Sequence, residues 1–140
     1  MLSLFLGARK ARETRMCCVD ALVLSAGHVC AIIEIEESGF LPTKICGKVL
    51  QAALASHYIA EPAASAAVPY GDEVLFVEVL DGSKLRKGTR KVAQARLIEE
   101  EIQKLLPLNL ISSYRLFHAT TDAGDKGLAA VGQAVADALA

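Results

Sequence analysis

Three carboxylates stand in two apolar runs near the start of the chain, and their spacing could serve metal chemistry. Asp20 lies in VDALVL, Glu34 and Glu36 lie in VCAIIEIE, and the short turn SAGH joins the two runs. A carboxylate in a buried strand is unfavourable unless a base, N–H donors or a metal ion compensates it. Because residues two apart share one face of a strand, Glu34 and Glu36 point to the same side.

The register of the predicted hairpin decides whether Asp20 joins the two glutamates. If Leu24 lies opposite His28, across a three-residue loop, Asp20 sits diagonally beside Glu34 on one face. If Leu24 instead pairs with Val29, Asp20 points to the other face, since a slip of one residue inverts every side chain. The sequence leaves both registers open. It also leaves open that the acids of IEIE form the solvent-facing side of an edge strand.

Three converging carboxylates suit a hard divalent cation such as Mg²⁺ or Mn²⁺, which prefers oxygen ligands. Such a cation turns bound water into a nucleophile and stabilises charge on a phosphate, which supports phosphodiester hydrolysis. Asp20, Glu34 and Glu36 are therefore predicted as metal ligands and catalytic residues. Lys44 and Lys48, four apart on the next predicted helix, are candidates to orient the water or to stabilise the phosphate.

These residues resemble the PD-(D/E)XK nuclease superfamily over roughly residues 17 to 80. The family pattern is an Asp that opens one strand and a (D/E)-x-K on the next. The resemblance implies a restriction-endonuclease-like fold, metal-dependent hydrolysis of phosphodiester bonds, and metal ligation by Asp20 and Glu34. Glu36 stands where the family usually has lysine, and Lys44 or Lys48 would replace that lysine.

A second departure concerns the start of the domain. The family core begins with a helix before the first strand, whereas only sixteen residues precede the predicted strand that holds Asp20. The missing lysine and the missing helix both favour an alternative function, a non-catalytic α/β interaction module that retains the nuclease fold.

Basic residues gather in two clusters, although the net charge is only −1. The first extends from Arg9 to Arg15, and the second, KLRKGTRK, holds five of the fifteen Lys and Arg residues. A nuclease would use both clusters to contact phosphates of nucleic acid, DNA rather than RNA, with a homodimer or a larger partner completing the surface. Alternatively, the second cluster is only the solvated start of a helix. The basic residues of the second cluster are Lys84, Arg86, Lys87, Arg90 and Lys91.

The remaining patterns predict the elements that position these residues. Hydrophobic periodicity indicates the order β-β-α-β-α-β-α, and hence one α/β or α+β domain over residues 1–140 with helices covering a central mixed sheet. Asp81 or Ser83 is predicted to cap the long second helix. The predicted strands are 17–25, 28–37, 73–80 and 113–120, with an edge strand in MLSLFLG. The predicted helices are 42–60, with apolar positions 45, 49, 50, 53 and 54, then 85–106 and 123–140.

Composition narrows the class of protein. With 140 residues, of which 53% are hydrophobic, the chain can bury a core without disulfides or metals. Its longest apolar runs fall short of the roughly 18 to 20 residues needed to cross a bilayer, so we expect a cytoplasmic protein with no membrane partner. The four cysteines show no C-x-x-C spacing and lie among apolar residues, which favours buried free thiols over zinc.

Overall fold

A computed structural model of the protein describes residues 2–37, 40–61, 65–119 and 124–140. The strands are β1 Leu2–Phe5, β2 Arg15–Val19, β3 Ala21–Ser25, β4 His28–Glu36, β5 His57–Ile59, β6 Ala67–Asp81 and β7 Ile111–Ala119. The helices are α1 Pro42–Leu54, α2 Lys91–Leu105 and α3 Gly124–Leu139.

These strands form one mixed sheet around the long strand β6. The sheet runs in the order β2-β1-β5-β6-β4-β3, and β7 also pairs with β6. The first part of β6 pairs with β5 in antiparallel orientation, whereas its second part lies between β4 and β7 and is parallel to both. The predicted α/β class with a mixed sheet is confirmed. The segment MLSLFLG does form a strand, but β1 lies between β2 and β5 and is not an edge.

Helices cover both faces of the parallel part of the sheet. One face carries Phe76 and Tyr114, which pack with α1 and α2 in the larger core cluster. The other face carries Leu75 and Val77, which pack against Val131 of α3. Side chains alternate between the faces along each strand, so the register determines which residues meet α1. In that register Glu34 and Glu36 lie on the α1 face.

α1 begins where the sequence predicts and ends earlier. Pro42 stands in its first turn, where the fixed φ of proline suits a helix and its missing N–H costs nothing. The helix ends at Leu54, and HYI, predicted as part of the helix, forms the strand β5. The predicted apolar stripe is wrong at Leu50 and Leu54, which are 53% and 49% exposed. The buried residues of α1 are Ile45, Val49, Ala52 and Ala53.

α2 begins at Lys91, and the prediction of a helix from Leu85 is wrong. Gly88 has φ of +79°, a left-handed conformation that a right-handed helix cannot contain. Neither Asp81 nor Ser83 caps the helix, because α2 begins well after them, at Lys91. Instead, the N–H of Ser83 donates to Oδ1 of Asp81 within a turn. The segment KLRKGTRK is therefore mostly a loop and not the first turns of a helix.

Polar side chains of α2 cover the free edge of β7. Glu99 Oε2 accepts a hydrogen bond from the N–H of Leu116 at 2.6 Å, and Arg96 donates to the carbonyl of the same residue at 2.5 Å. Gln103 donates to the carbonyl of Tyr114 at 3.0 Å. These side chains satisfy backbone groups that a further strand would otherwise pair with.

All four cysteines are free thiols. Cys17, Cys18 and Cys30 are half-buried, whereas Cys46 is exposed on α1, so the prediction of buried thiols is wrong for Cys46. Within the described residues, no helix combines the length and the apolar character needed to cross a membrane.

Candidate functional site

Asp20 lies at a break in the chain that the sequence predicts as one continuous strand. β2 ends at Val19 and pairs with β1, whereas β3 begins at Ala21 and pairs with β4. The chain therefore changes partner strand at Asp20. The bend leaves the Asp20 side chain free to turn toward β4.

The turn of the β3–β4 hairpin differs from the predicted three-residue loop. Ser25 pairs with His28, so the turn contains only Ala26 and Gly27. Both have positive φ, 51° and 79°, as a type I′ hairpin turn requires. Next to the turn Leu24 pairs with Val29, which is the register that was expected to separate the carboxylates.

A β-bulge at Cys30 nevertheless brings Asp20 and Glu34 together. Val23 pairs with Ala31, so Cys30 is an extra residue on β4, and the register beyond it is shifted by one. Continued to the end of β3, this register places Asp20 opposite Glu34. Neither predicted register was right over the whole hairpin, because the bulge changes it partway along.

Lys44 and Lys48 of α1 reach the two glutamates near the end of β4. Nζ of Lys48 lies 3.3 Å from Oε2 of Glu34 and 3.5 Å from Oε2 of Glu36. Nζ of Lys44 lies 3.6 Å from Oε1 of Glu36. The side chains of Glu34 and Glu36 are 7% and 11% exposed, and those of Lys48 and Lys44 are 28% and 49% exposed. The interpretation of IEIE as the solvent-facing side of an edge strand is wrong, because β4 is internal.

Asp20 and Glu34 are coupled through a proton. Burial, and then the hydrogen bond with Asp20, raise the pKa of Glu34 to about 7 against the opposing charge of Lys48. Burial would also raise the pKa of Asp20, but the hydrogen bonds from Glu34 and from the Ile35 N–H lower it overall. The N–H of Ile35 donates to Asp20 Oδ2 at 2.7 Å. Below its pKa of about 7, Glu34 is therefore the member of the pair that carries the proton, and it can donate that proton to Asp20.

Lys48 is held in its charged form by the acids around it. Burial alone would lower the pKa of Lys48, but the charges of Glu34 and Glu36 and their hydrogen bonds raise it overall. Its ammonium is therefore the resident cation of the site.

A fourth acid, Glu78, lies buried beside Glu34, and the sequence did not predict it as part of the site. Glu78 pairs with Glu34 in the parallel register of β4 and β6, and it is 1% exposed. Its Oε2 accepts a hydrogen bond from the Tyr114 hydroxyl at 2.7 Å. Burial raises the pKa of Glu78 to about 8, although this hydrogen bond and Lys48 oppose the shift. The signal in the sequence was a glutamate inside the apolar run EVLFVEVL.

The cluster opens onto a groove of about 750 Å³ between the end of β4 and α1. Gly47 lies in the wall of this groove, and a Cβ added there would meet no atom within 4 Å. A molecule in the groove can therefore approach the backbone of α1 closely at this position. Other residues of the wall are Asp20, Glu36, Glu37, Lys44 and Lys48.

The donor set of the groove fits a hard divalent cation in its chemistry. Carboxylate oxygens are the ligands that Mg²⁺ and Mn²⁺ prefer. The Lys48 ammonium shows that one cation can contact both Glu34 and Glu36. As the side chains stand, no group of three His, Cys, Asp or Glu in the described residues is arranged to hold a metal ion.

The second basic cluster lies next to the groove. The loop between β6 and α2 lines a hollow of about 650 Å³ together with Glu37, which also lines the groove. The loop consists of two turns, in which Leu85 N–H donates to the Gly82 carbonyl and Thr89 N–H donates to the Arg86 carbonyl. Within the described chain, four of its cations form no salt bridge. These are Lys84, Arg86, Lys87 and Arg90.

The structure does not bring the first basic cluster to the groove. Arg15 begins β2, whereas Asp20 follows its last residue, so a strand of about 16 Å separates them at about 3.3 Å per residue. Within this cluster Arg9 pairs with Glu13 at 3.1 Å and Lys10 pairs with Glu61 at 2.8 Å.

Comparison of the chain with protein-family models, curated proteins and solved structures finds no match.

Proposed function

We propose that the protein is a metal-dependent nuclease that hydrolyses phosphodiester bonds, with DNA as its preferred substrate. The observation that carries the proposal is the convergence of Asp20, Glu36, Lys44 and Lys48 on one open groove. Glu34 is buried next to the groove and reaches it through its ion pair with Lys48. Three carboxylates and two ammonium groups at the end of an internal strand suit a charged substrate and a cation. The proposed fold is restriction-endonuclease-like, since the Asp at the entry of β3 and the EIE of β4 stand on antiparallel neighbours.

The acids and the lysines would have separate roles in this reaction. Asp20, Glu34 and Glu36 would hold the cation, and Asp20 is kept in place by the Ile35 N–H. A bound Mg²⁺ or Mn²⁺ would supply a water of lowered pKa and would neutralise charge on the phosphate. Lys48 or Lys44, on the opposite wall, would contact the phosphate oxygens or orient the attacking water.

The loop beside the groove supports nucleic acid as the substrate class. Among the described residues, this loop has four cations that form no salt bridge. Three of them, Lys84, Arg86 and Lys87, line a hollow that Glu37 connects to the groove. A strand whose scissile phosphate lies in the groove would carry its neighbouring phosphates over this loop. Such contacts supply sequence-independent affinity.

A second function is favoured by one specific observation. Lys48 and Lys44 already form ion pairs with Glu34 and Glu36. Buried ion pairs of this kind also occur where they serve only the structure. A non-catalytic interaction module with this fold would need no cation and would show no cleavage.

A plasmid-nicking assay with a matched variant tests the proposal. Supercoiled plasmid is incubated with the wild type and with Glu36→Gln at increasing Mg²⁺ or Mn²⁺ concentrations. Glu100→Gln is the control, because Glu100 is an exposed acid of α2 outside the groove. We expect metal-dependent nicking by the wild type and the control and its loss in Glu36→Gln. Equal nicking by all three proteins, or none with either metal, contradicts the nuclease function.

A further inference from the structure

Lys48 lies where a cation shared by the two glutamates would lie. Its Nζ is 3.3 Å from Oε2 of Glu34 and 3.5 Å from Oε2 of Glu36. Lys44 differs from it, because among the described residues Lys44 forms one ion pair, with Oε1 of Glu36 at 3.6 Å, and is half exposed. The two lysines are four residues apart on α1, which makes Lys44 an internal comparison for any effect of Lys48.

Glu78 is a second and independent sign that this end of the sheet is built for a ligand. Oε1 of Glu78 is buried and has no hydrogen-bond partner in the described part of the protein. Buried polar atoms normally have a partner. Glu78 lies beside Glu34 on the face that meets Lys48, and both residues act on it electrostatically. The unpartnered oxygen therefore belongs to the residue of β6 that pairs with Glu34.

We propose that Lys48 is an internal counter-ion that competes with the divalent cation for Glu34 and Glu36. This inference rests on the nuclease function proposed above and adds regulation to it. While Lys48 bridges the two carboxylates, the site is closed to a second cation. Binding of the divalent cation moves the ammonium away from the carboxylates and into the groove, where a phosphate would lie.

The geometry allows this exchange without movement of α1. Lysine carries its charge on a flexible stem of four carbons, and the Lys48 side chain is 28% exposed. The neighbouring Gly47 leaves open space in the groove wall. Lys48 can therefore change rotamer while its backbone stays in the helix.

Removal of the Lys48 charge should tighten cation binding. A positive charge within 3.5 Å of both carboxylates repels a second cation, and moving it away costs free energy. We expect at least tenfold tighter binding of Mn²⁺ to Lys48→Met than to the wild type, together with lower nicking activity. For Lys44→Met we expect less than a threefold change in affinity, since Lys44 is half exposed and contacts one carboxylate.

Isothermal titration of Mn²⁺ at pH 8 into the wild type, Lys48→Met and Lys44→Met tests the inference. Lys48→Gln is a second variant in case Lys48→Met does not fold. The rise in Tm at saturating Mn²⁺ is a separate readout and should be largest for the Lys48 variants. Equal affinity in the wild type and both Lys48 variants overturns the counter-ion role but leaves the nuclease proposal intact. Absence of binding in every variant overturns both.

Discussion

Glu78 should make the stability of the protein depend on pH, and Glu78→Gln should remove that dependence. The carboxyl group is 1% exposed, and burial raises its pKa from 4.5 to about 8. A group with a raised pKa in the folded state contributes its full stability below the unfolded pKa. That contribution is lost as the pH rises through the folded pKa. The wild type should therefore be less stable at pH 8 than at pH 5.

The size of the effect follows from linkage. Between the two pKa values, the free energy of unfolding falls by at most about 1.4 kcal/mol per pH unit. This slope holds over most of the interval from pH 5 to pH 8. The Glu78 carboxyl therefore lowers the free energy of unfolding of the wild type by about 3 kcal/mol across this interval. Glutamine cannot ionise, and its side-chain oxygen can still accept the hydrogen bond from Tyr114.

Urea unfolding at pH 5 and pH 8 measures the effect directly. At pH 5 we expect Glu78→Gln to be equal to the wild type or less stable by about 1 kcal/mol, because its amide adds buried donors. At pH 8 we expect the variant to be more stable by about 2 kcal/mol. Glu34 also has a raised pKa but is present in both proteins, so its contribution largely cancels in the difference. Parallel pH profiles of the two proteins would refute a protonated Glu78.

Three further changes separate the parts of the site. Gly47→Ala should raise helix stability by up to about 1 kcal/mol in urea unfolding, and its methyl group should weaken DNA binding in a gel-shift assay because it projects into the groove. Asp20→Ala should abolish Mn²⁺ binding and should lower the pKa of Glu34, which Asp20 raises, as an NMR titration would show. Lys84→Ala with Arg86→Ala should reduce the slope of log Kobs for DNA against log salt by roughly 2, since each phosphate contact contributes about 0.9.

The order of the central elements was predictable because it depends on local patterns. The apolar runs of β4 and β6 and the helical period of α1 are each visible within a short window of sequence. The short strand β5 was missed because three residues carry too little periodicity. The start of α2 was misplaced because the charged segment around Gly88 has no apolar period that would distinguish a loop from an exposed helical turn.

The convergence of the site depended on features that are not local. Alternation along β4 correctly placed Glu34 and Glu36 on one face, and the spacing of Lys44 and Lys48 placed both lysines on one side of α1. The position of Asp20 depended on an extra residue at Cys30, and nothing in the sequence around Cys30 marks a bulge. The pairing of Leu24 with Val29, one of the two registers that the sequence left open, was present, yet the predicted separation of Asp20 from Glu34 did not follow.

Glu78 illustrates a second limit, which concerns pairing between distant strands. Its burial depends on the parallel pairing of β6 with β4, which α1 and β5 separate along the chain. The sequence shows a glutamate in an apolar run, but it does not show that the same register position of β4 carries Glu34. An acid in a buried strand is rarely unpaired, and its partner can lie on a neighbouring strand that is distant in sequence.

The charges of the site explain how so many acids can be buried at one end of the sheet. Raised pKa values of about 8 for Glu78 and about 7 for Glu34 keep much of this buried acid neutral at pH 7, which leaves less negative charge to be compensated. Two ammonium groups, on Lys44 and Lys48, supply that compensation. A divalent cation would add two positive charges beside the Lys48 ammonium, so its binding should be accompanied by loss of a proton from Glu34 and by displacement of that ammonium. The same arrangement thus stabilises the protein without a cation and links cation binding to pH.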